Sequence, residues 1–162
     1  MSPTNSKSVR ISQTSVIVLR APLKRVFPLF GPIREKEWAA GWEPQVLYAT
    51  ADLEERMVFK VQSHHGQEPD STWTVSKYSP DQAFIEYTVF TPERIWWITI
   101  ECKAGKTGET TEAKITYTYT GLTERGNAIN AKALQMMYRH DLKDWETALN
   151  HYLETSKRFE HH

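Results

Sequence analysis

The segment GPIREKEWAAGWEP, residues 31–44, puts a carboxylate and two indoles within one short stretch. Pro32 suits the first turn of a helix, where its missing N–H is not needed. Gly41 and Pro44 mark the stop. Between them Glu35, Trp38 and Trp42 recur at spacings of three and four, which predicts one shared helix face. A carboxylate on such a face can fix the polar end of a ligand, and the indoles can hold its flat body. The competing reading is plain packing, with Glu35 solvated or paired to Arg34 or Arg25. Trp38, mid-helix, is expected at the rim of a cavity; Trp42, beside the strand that starts after Pro44, is expected to pack the helix on the sheet.

A second set of candidates is phenolic. Tyr87, Tyr117 and Tyr119 fall on strand faces expected to point inward, where a hydroxyl can donate to a ligand carbonyl or act as an acid. Buried tyrosines also serve as ordinary core residues. His140-Asp141 invites an acid–base or metal reading, but neighbours on an ideal helix point about 100° apart. No further histidine sits at a supporting spacing, so helix surface is expected. His64-His65 with Glu68 and Asp70 has metal-ligand residue types on a hairpin tip, a place where geometry is loose, and no natural metal site is expected there. Cys102 ends an apolar strand with no cation or helix start in view to activate it, so it reads as buried and inert. The chain carries no G-x-S-x-G, H-E-x-x-H, phosphate-binding glycine loop or dinucleotide fingerprint. No metal and no cofactor are expected.

These side chains need a scaffold, and the periodicity supplies one. Val9 to Arg20 reads as a long strand, and PLKRVFPLF as a short helix with Val26, Phe27 and Phe30 on its apolar side. After Pro44 the period becomes two. QVLYAT is a strand; MVFKVQ turns Met57, Phe59 and Val61 inward; STWTVSKY puts Trp73 and Val75 on one face. AFIEYTVF presents either Ile85, Tyr87 and Val89 or Phe84 and Phe90. RIWWITIEC is apolar on both faces, so one of Trp96 and Trp97 must point away from the cavity. EAKITYTYT sets Ile115, Tyr117 and Tyr119 together. Short turn signals separate the runs, which predicts sequential antiparallel neighbours. Near Thr123 the period returns to 3.6, and Leu134, Tyr138, Leu142, Trp145, Leu149 and Tyr152 form the stripe of one long helix ending near Lys157.

The bulk numbers exclude several classes. The chain has 162 residues, a length that fits one domain with a substantial core. Its 20 basic and 20 acidic side chains cancel without a long block of either sign, so no nucleic-acid footprint is expected. No run is apolar enough to span a bilayer. The lone cysteine rules out an internal disulfide and favours an intracellular, cytoplasmic setting.

GPIREKEWAAGWEP after the first strand, and YTGLTERGN leading into the last helix, resemble the START-like superfamily. This group, also called SRPBCC or Bet v 1-like, holds the birch-pollen allergen, steroidogenic lipid-transfer domains and polyketide cyclases. The resemblance covers roughly Ser8 to Phe159 and is nearest to the polyketide cyclase/dehydrase and lipid-transport branch. It implies an α+β helix-grip fold, with a curved seven-stranded antiparallel sheet around a long C-terminal helix and two short helices after strand 1. Residues 1–8 are expected to be disordered, 9–159 to form the single domain, and 160–162 to be a tail, its histidines suggestive of a purification tag. The expected function is binding or transport of a hydrophobic or aromatic small molecule in an internal cavity lined by Glu35, Trp38, Phe59, Trp73, Tyr87, Tyr117, Tyr119 and Tyr138. The alternatives are a cyclase/dehydratase-type enzyme using Tyr and Glu35 as acid–base groups, and a chaperone-interaction module. A monomer or homodimer is expected, without membrane insertion.

Overall fold

The computed structural model describes residues 8–63 and 68–160. Seven strands form one curved antiparallel sheet: β1 (Arg10–Leu19), β2 (Gln45–Tyr48), β3 (Val58–Val61), β4 (Ser71–Ser79), β5 (Phe84–Thr91), β6 (Arg94–Ala104) and β7 (Thr111–Gly121). Their spatial order is β1-β7-β6-β5-β4-β3-β2, so every hairpin is local and only β1 pairs across the chain, with β7. Between β1 and β2 run α1 (Leu23–Val26), a 3-10 turn over Phe27–Phe30 and another over Arg34–Glu37.

Alternation decides which side chains face the core. In β6, Arg94, Trp96, Ile98, Ile100 and Cys102 point inward; in β7, Thr111, Ala113, Ile115, Tyr117 and Tyr119 do. Trp96 is therefore inside, while Trp97 is on the outer face with the Arg10 guanidinium 5.2 Å from its ring centroid. In β5 the buried set is Ile85, Tyr87 and Val89, and Phe90 is exposed. A register shift between Val75 and Lys77 bends β4, as an inserted residue does in an antiparallel pair.

The sheet closes on one long helix built from α2 (Glu124–Met136), a π turn (Met137–Asp141) and α3 (Leu142–Thr155). The YTGLTERGN stretch explains how it is seated. Thr123 caps the helix, its hydroxyl accepting from the Gly126 N–H at 3.0 Å. A Cβ on Gly126 would come within 1.9 Å of the Glu93 carbonyl, and one on Gly121 within 1.9 Å of Asn127 Oδ1, so both positions demand glycine for close approach. The helix also covers the free edge of β1. Glu146 accepts from the Val18 N–H at 2.7 Å, and Asn150 both accepts from Arg20 N–H at 2.8 Å and donates to Val18 O at 3.1 Å. These contacts satisfy strand backbone that would otherwise be open to another chain.

The GPIREKEWAAGWEP segment differs from its sequence expectation. It forms a four-residue 3-10 turn, Arg34–Glu37, in place of a helix running to Gly41, because Trp38 already leaves helical geometry at φ −127°, ψ −21°. The long helix likewise contains a π turn that its sequence period does not announce. Both departures come from packing against the other element, which local spacing does not encode.

Candidate functional site

Without a continuous helix, Glu35, Trp38 and Trp42 do not share a face. Trp38 is 1% exposed, donates from Nε1 to the Leu29 carbonyl at 2.7 Å, and sets its ring edge-on to Phe30 and Trp145. Trp42 is half-buried, donates to Pro32 O at 2.8 Å, and meets Phe59 and Trp73 edge-on. The more completely packed indole is thus Trp38, the reverse of the sequence expectation.

The eight candidates fall into two groups. Phe59, Trp73 and Tyr87, with Trp42, make a ring cluster on β3, β4 and β5 with centroids 5.4–6.1 Å apart. Its polar atoms are satisfied: Trp73 Nε1 donates to Ser71 Oγ at 2.9 Å and the Tyr87 hydroxyl to Phe30 O at 2.7 Å. Tyr117 and Tyr119 stack at 5.8 Å on β7, with Trp96 beside Tyr119 and Tyr138 edge-on to Tyr117. The Tyr138 hydroxyl is occupied by sheet backbone, accepting from the Tyr117 N–H at 3.2 Å and lying against the carbonyls of Gln13 and Ile115. The hydroxyls of Tyr117 and Tyr119, both 3% exposed, hydrogen-bond to nothing among the described residues.

Glu35 shares that condition. Its expected partners are engaged elsewhere: Arg34 pairs with Glu37 at 2.9 Å, and Arg25 donates to Leu153 O at 2.7 Å. The residue is partly exposed, yet its carboxyl lies deep enough that burial pushes its pKa up to about 8. Its neighbours are the two tyrosines it was expected to join. Burial lifts the Tyr87 and Tyr117 hydroxyls well above their ordinary value, and the Glu35 carboxylate raises both further. Tyr117 also feels Tyr119, Tyr138 and Asp141. Glu35 thus acts electrostatically on a tyrosine of β5 and one of β7.

Two recesses bear on this region. One of about 380 Å3 lies on the outer face of the sheet, walled by Val16, Phe84, Glu101, Lys103, Glu112 and Lys114, and none of the eight candidates reaches it. Another of about 250 Å3 lies between the 38–40 segment and the helix, walled by Trp38, Met137, Asp141 and Trp145 among others. Of the eight candidates only Trp38 lines it. The sequence reading assigned Asp141 to the helix surface; the π turn draws it half inside, while His140 stays exposed.

The interior holds an ion pair that the sequence reading missed. Arg94, 5% exposed, donates to both carboxylate oxygens of Glu68 at 2.7 and 2.8 Å and to Asn130 Oδ1 at 3.2 Å, with its guanidinium 4.0 Å from the Trp96 ring centroid. Strict alternation with Trp96 and Ile98 was the available signal for an inward Arg94. Glu68, grouped with Asp70 and the histidines as a metal-type cluster, is instead committed to that pair. His64 and His65 lie outside the described residues. Among those that are described, no three His, Cys, Asp or Glu side chains gather to hold a metal. Cys102 is buried, and burial pushes its thiol up to about 12, far from a reactive thiolate. No helix among the described residues is long and apolar enough to cross a membrane.

No protein-family model matches the sequence, and no curated protein matches it either. Similarity is found in solved structures. Norcoclaurine synthase from Thalictrum flavum superposes with a TM-score of 0.67 at 9% identity, over 93% of this chain and 90% of that one. The Zhui aromatase/cyclase from Streptomyces sp. R1128 gives 0.66 at 12% identity, over 94% and 99%. A conserved protein from Geobacillus kaustophilus gives 0.64 at 15%, over 93% and 100%. The chain has the helix-grip fold that these solved structures share. At these identities the likeness concerns the fold, and fold alone does not name an activity.

Proposed function

We propose that this protein binds a hydrophobic or aromatic small molecule between the sheet and the long helix, as a cytoplasmic carrier or receptor acting as a monomer or homodimer. The observation that carries the reading is the recess of about 250 Å3 between the 38–40 segment and the long helix, walled by Trp38, Met137, Trp145 and Ala148 with Asp141 and Asp144 at its side. Trp38 and Trp145 supply its aromatic wall. The recess is below the roughly 300 Å3 of a drug-sized pocket. That favours a molecule of one or two rings over a long acyl chain.

Titration with 2-naphthol, an uncharged two-ring fluorophore, tests this. It should saturate near one site per chain and quench tryptophan emission. Ala40→Trp, an exposed position on the recess wall, should block uptake. Unsaturable binding, or uptake equal in Ala40→Trp, would place the dye on the surface and end the proposal.

A second reading is favoured by one feature. A carboxyl with a pKa of about 8 next to tyrosines can donate and accept protons near neutral pH. That is the equipment of a cyclase/dehydratase-type enzyme, and an aromatase/cyclase shares the fold. Recovery of a bound substrate unchanged from the wild type would reject this reading; conversion that stops in Glu35→Gln, with binding retained, would support it.

A further inference from the structure

We propose that a second copy of this chain docks on the outer face of the sheet where β6 and β7 meet, about a two-fold axis that runs along the strands between them. This goes beyond the binding function, for the face shares no wall residue with the recess beside Trp38.

The strand register sets the face out in rows. One row crosses β1, β7, β6 and β5 as Val16, Lys114, Glu101 and Phe84. The next row holds Val18, Glu112 and Lys103. Acid and base are therefore exchanged between β6 and β7 from one row to the next, a checkerboard of charge. These side chains point outward because their strand neighbours Cys102, Ala113 and Ile115 are buried. Within each row the ion pair is loose. Lys114 with Glu101, and Lys103 with Glu112, both stand at 3.9 Å, beyond hydrogen-bond reach.

Such a pattern is complementary to itself. A half-turn about an axis along the strands, midway between β6 and β7, exchanges the two strands across the contact. Lys114 then faces Glu101 of the second copy, and Lys103 faces Glu112. The same rotation lays the exposed Val16 over Phe84 of the second copy, so apolar flank meets apolar flank. An axis along either strand itself would instead oppose like charges. Sheets that pack face to face keep their strands within about 30° of one another, as this axis does. The face is also recessed by about 380 Å3 between these residues, which leaves room for the long side chains of the second copy. Net charge does not oppose the contact, since 20 basic and 20 acidic side chains cancel. Four strands about 4.8 Å apart and about ten residues long offer on the order of 500 Å2 per copy. That is the low end for a specific interface, so the dimer is weak and reversible.

Sedimentation equilibrium from micromolar to millimolar protein tests this on the wild type, Glu101→Lys, Lys114→Glu and an equimolar mixture of the two variants. The wild type should dimerise, and raising salt from about 0.05 M to about 0.5 M should weaken the dimer by about tenfold or more. Each reversal alone opposes like charges across the contact and should weaken self-association by at least about tenfold. The mixture should recover wild-type affinity as a one-to-one heterodimer, because each reversed group then faces its opposite on the other variant. Both positions are exposed and their mutual pair is loose, so melting temperatures should stay near that of the wild type and show that the variants fold. A wild type that stays monomeric at millimolar protein and low salt overturns the proposal. So does a dimer indifferent to both reversals, or folded variants whose mixture stays monomeric. A wild-type dimer that salt leaves unchanged overturns it even where a variant folds poorly.

Discussion

Glu68 and Glu35 both place a carboxylate inside the same fold, and they could hardly be treated more differently. Glu68 is gripped by a guanidinium through two short hydrogen bonds, and that guanidinium is itself seated on Trp96 and held by Asn130. Glu35 makes no hydrogen bond or ion pair with any described residue, and burial pushes its pKa up to about 8. The first arrangement compensates charge within the protein and so reads as architecture. The second is met by no partner among the described residues and keeps its proton near neutral pH, which marks it as a candidate functional group. The tyrosines repeat the contrast, since Tyr87 donates to Phe30 O while the hydroxyls of Tyr117 and Tyr119 have no such acceptor.

The largest test of this contrast is Arg94→Ala. It strands the Glu68 carboxylate in a site where each partner's side chain is 7% exposed, and should destabilise the fold by about 3–5 kcal/mol in chemical denaturation. A loss under about 1 kcal/mol would mean that the pair is not the structural member of the comparison.

Glu35→Gln should act in the opposite direction and depend on pH. The folded pKa of about 8 is raised above the ordinary 4.5. Below about pH 4.5 the carboxyl is protonated folded and unfolded, and the wild type suffers no penalty. Between there and about pH 8 the unfolded chain ionises while the folded one keeps its proton, so stability falls as pH rises. Glu35→Gln removes that slope. Without ligand it should be the more stable protein at pH 8, by on the order of 4 kcal/mol at about 1.4 kcal/mol per pKa unit, with the difference closing toward pH 4.5. Parallel urea melts across that range check it, and a pH-independent difference would show Glu35 to be solvated.

The smallest effects separate the tyrosines. Tyr87→Phe removes a buried hydrogen bond and should cost about 1–2 kcal/mol. Tyr117→Phe removes a hydroxyl without a partner among the described residues and should stay within about 0.5 kcal/mol of wild type. Equal losses for the two would dissolve the distinction between satisfied and unsatisfied phenols.

Period-two alternation was enough to orient Phe59, Tyr117 and Tyr119, because side-chain direction in a strand follows from backbone geometry alone. The same rule left β5 ambiguous between Tyr87 and Phe90, since both of its faces carry large apolar residues. The return to helical period near Thr123 was equally local, being a cap followed by a stripe. What tertiary structure decided is the company each polar group keeps. Spacing suggested that Glu35, Trp38 and Trp42 share a face, but the chain turns 3-10 there, buries Trp38 against Trp145 from the far end of the sequence, and leaves Glu35 beside strands β5 and β7. Arg94 reads locally as the polar start of an apolar strand. Its role depends on Glu68, 26 residues away, and on Asn130, 36 away. Asp141 reads as helix surface until a π turn rotates it inward. A sequence states which groups a protein owns and, through period, which way many of them point. Whether a carboxylate ends up paired or alone depends on contacts between distant segments, and those exist only once the sheet has closed on the helix.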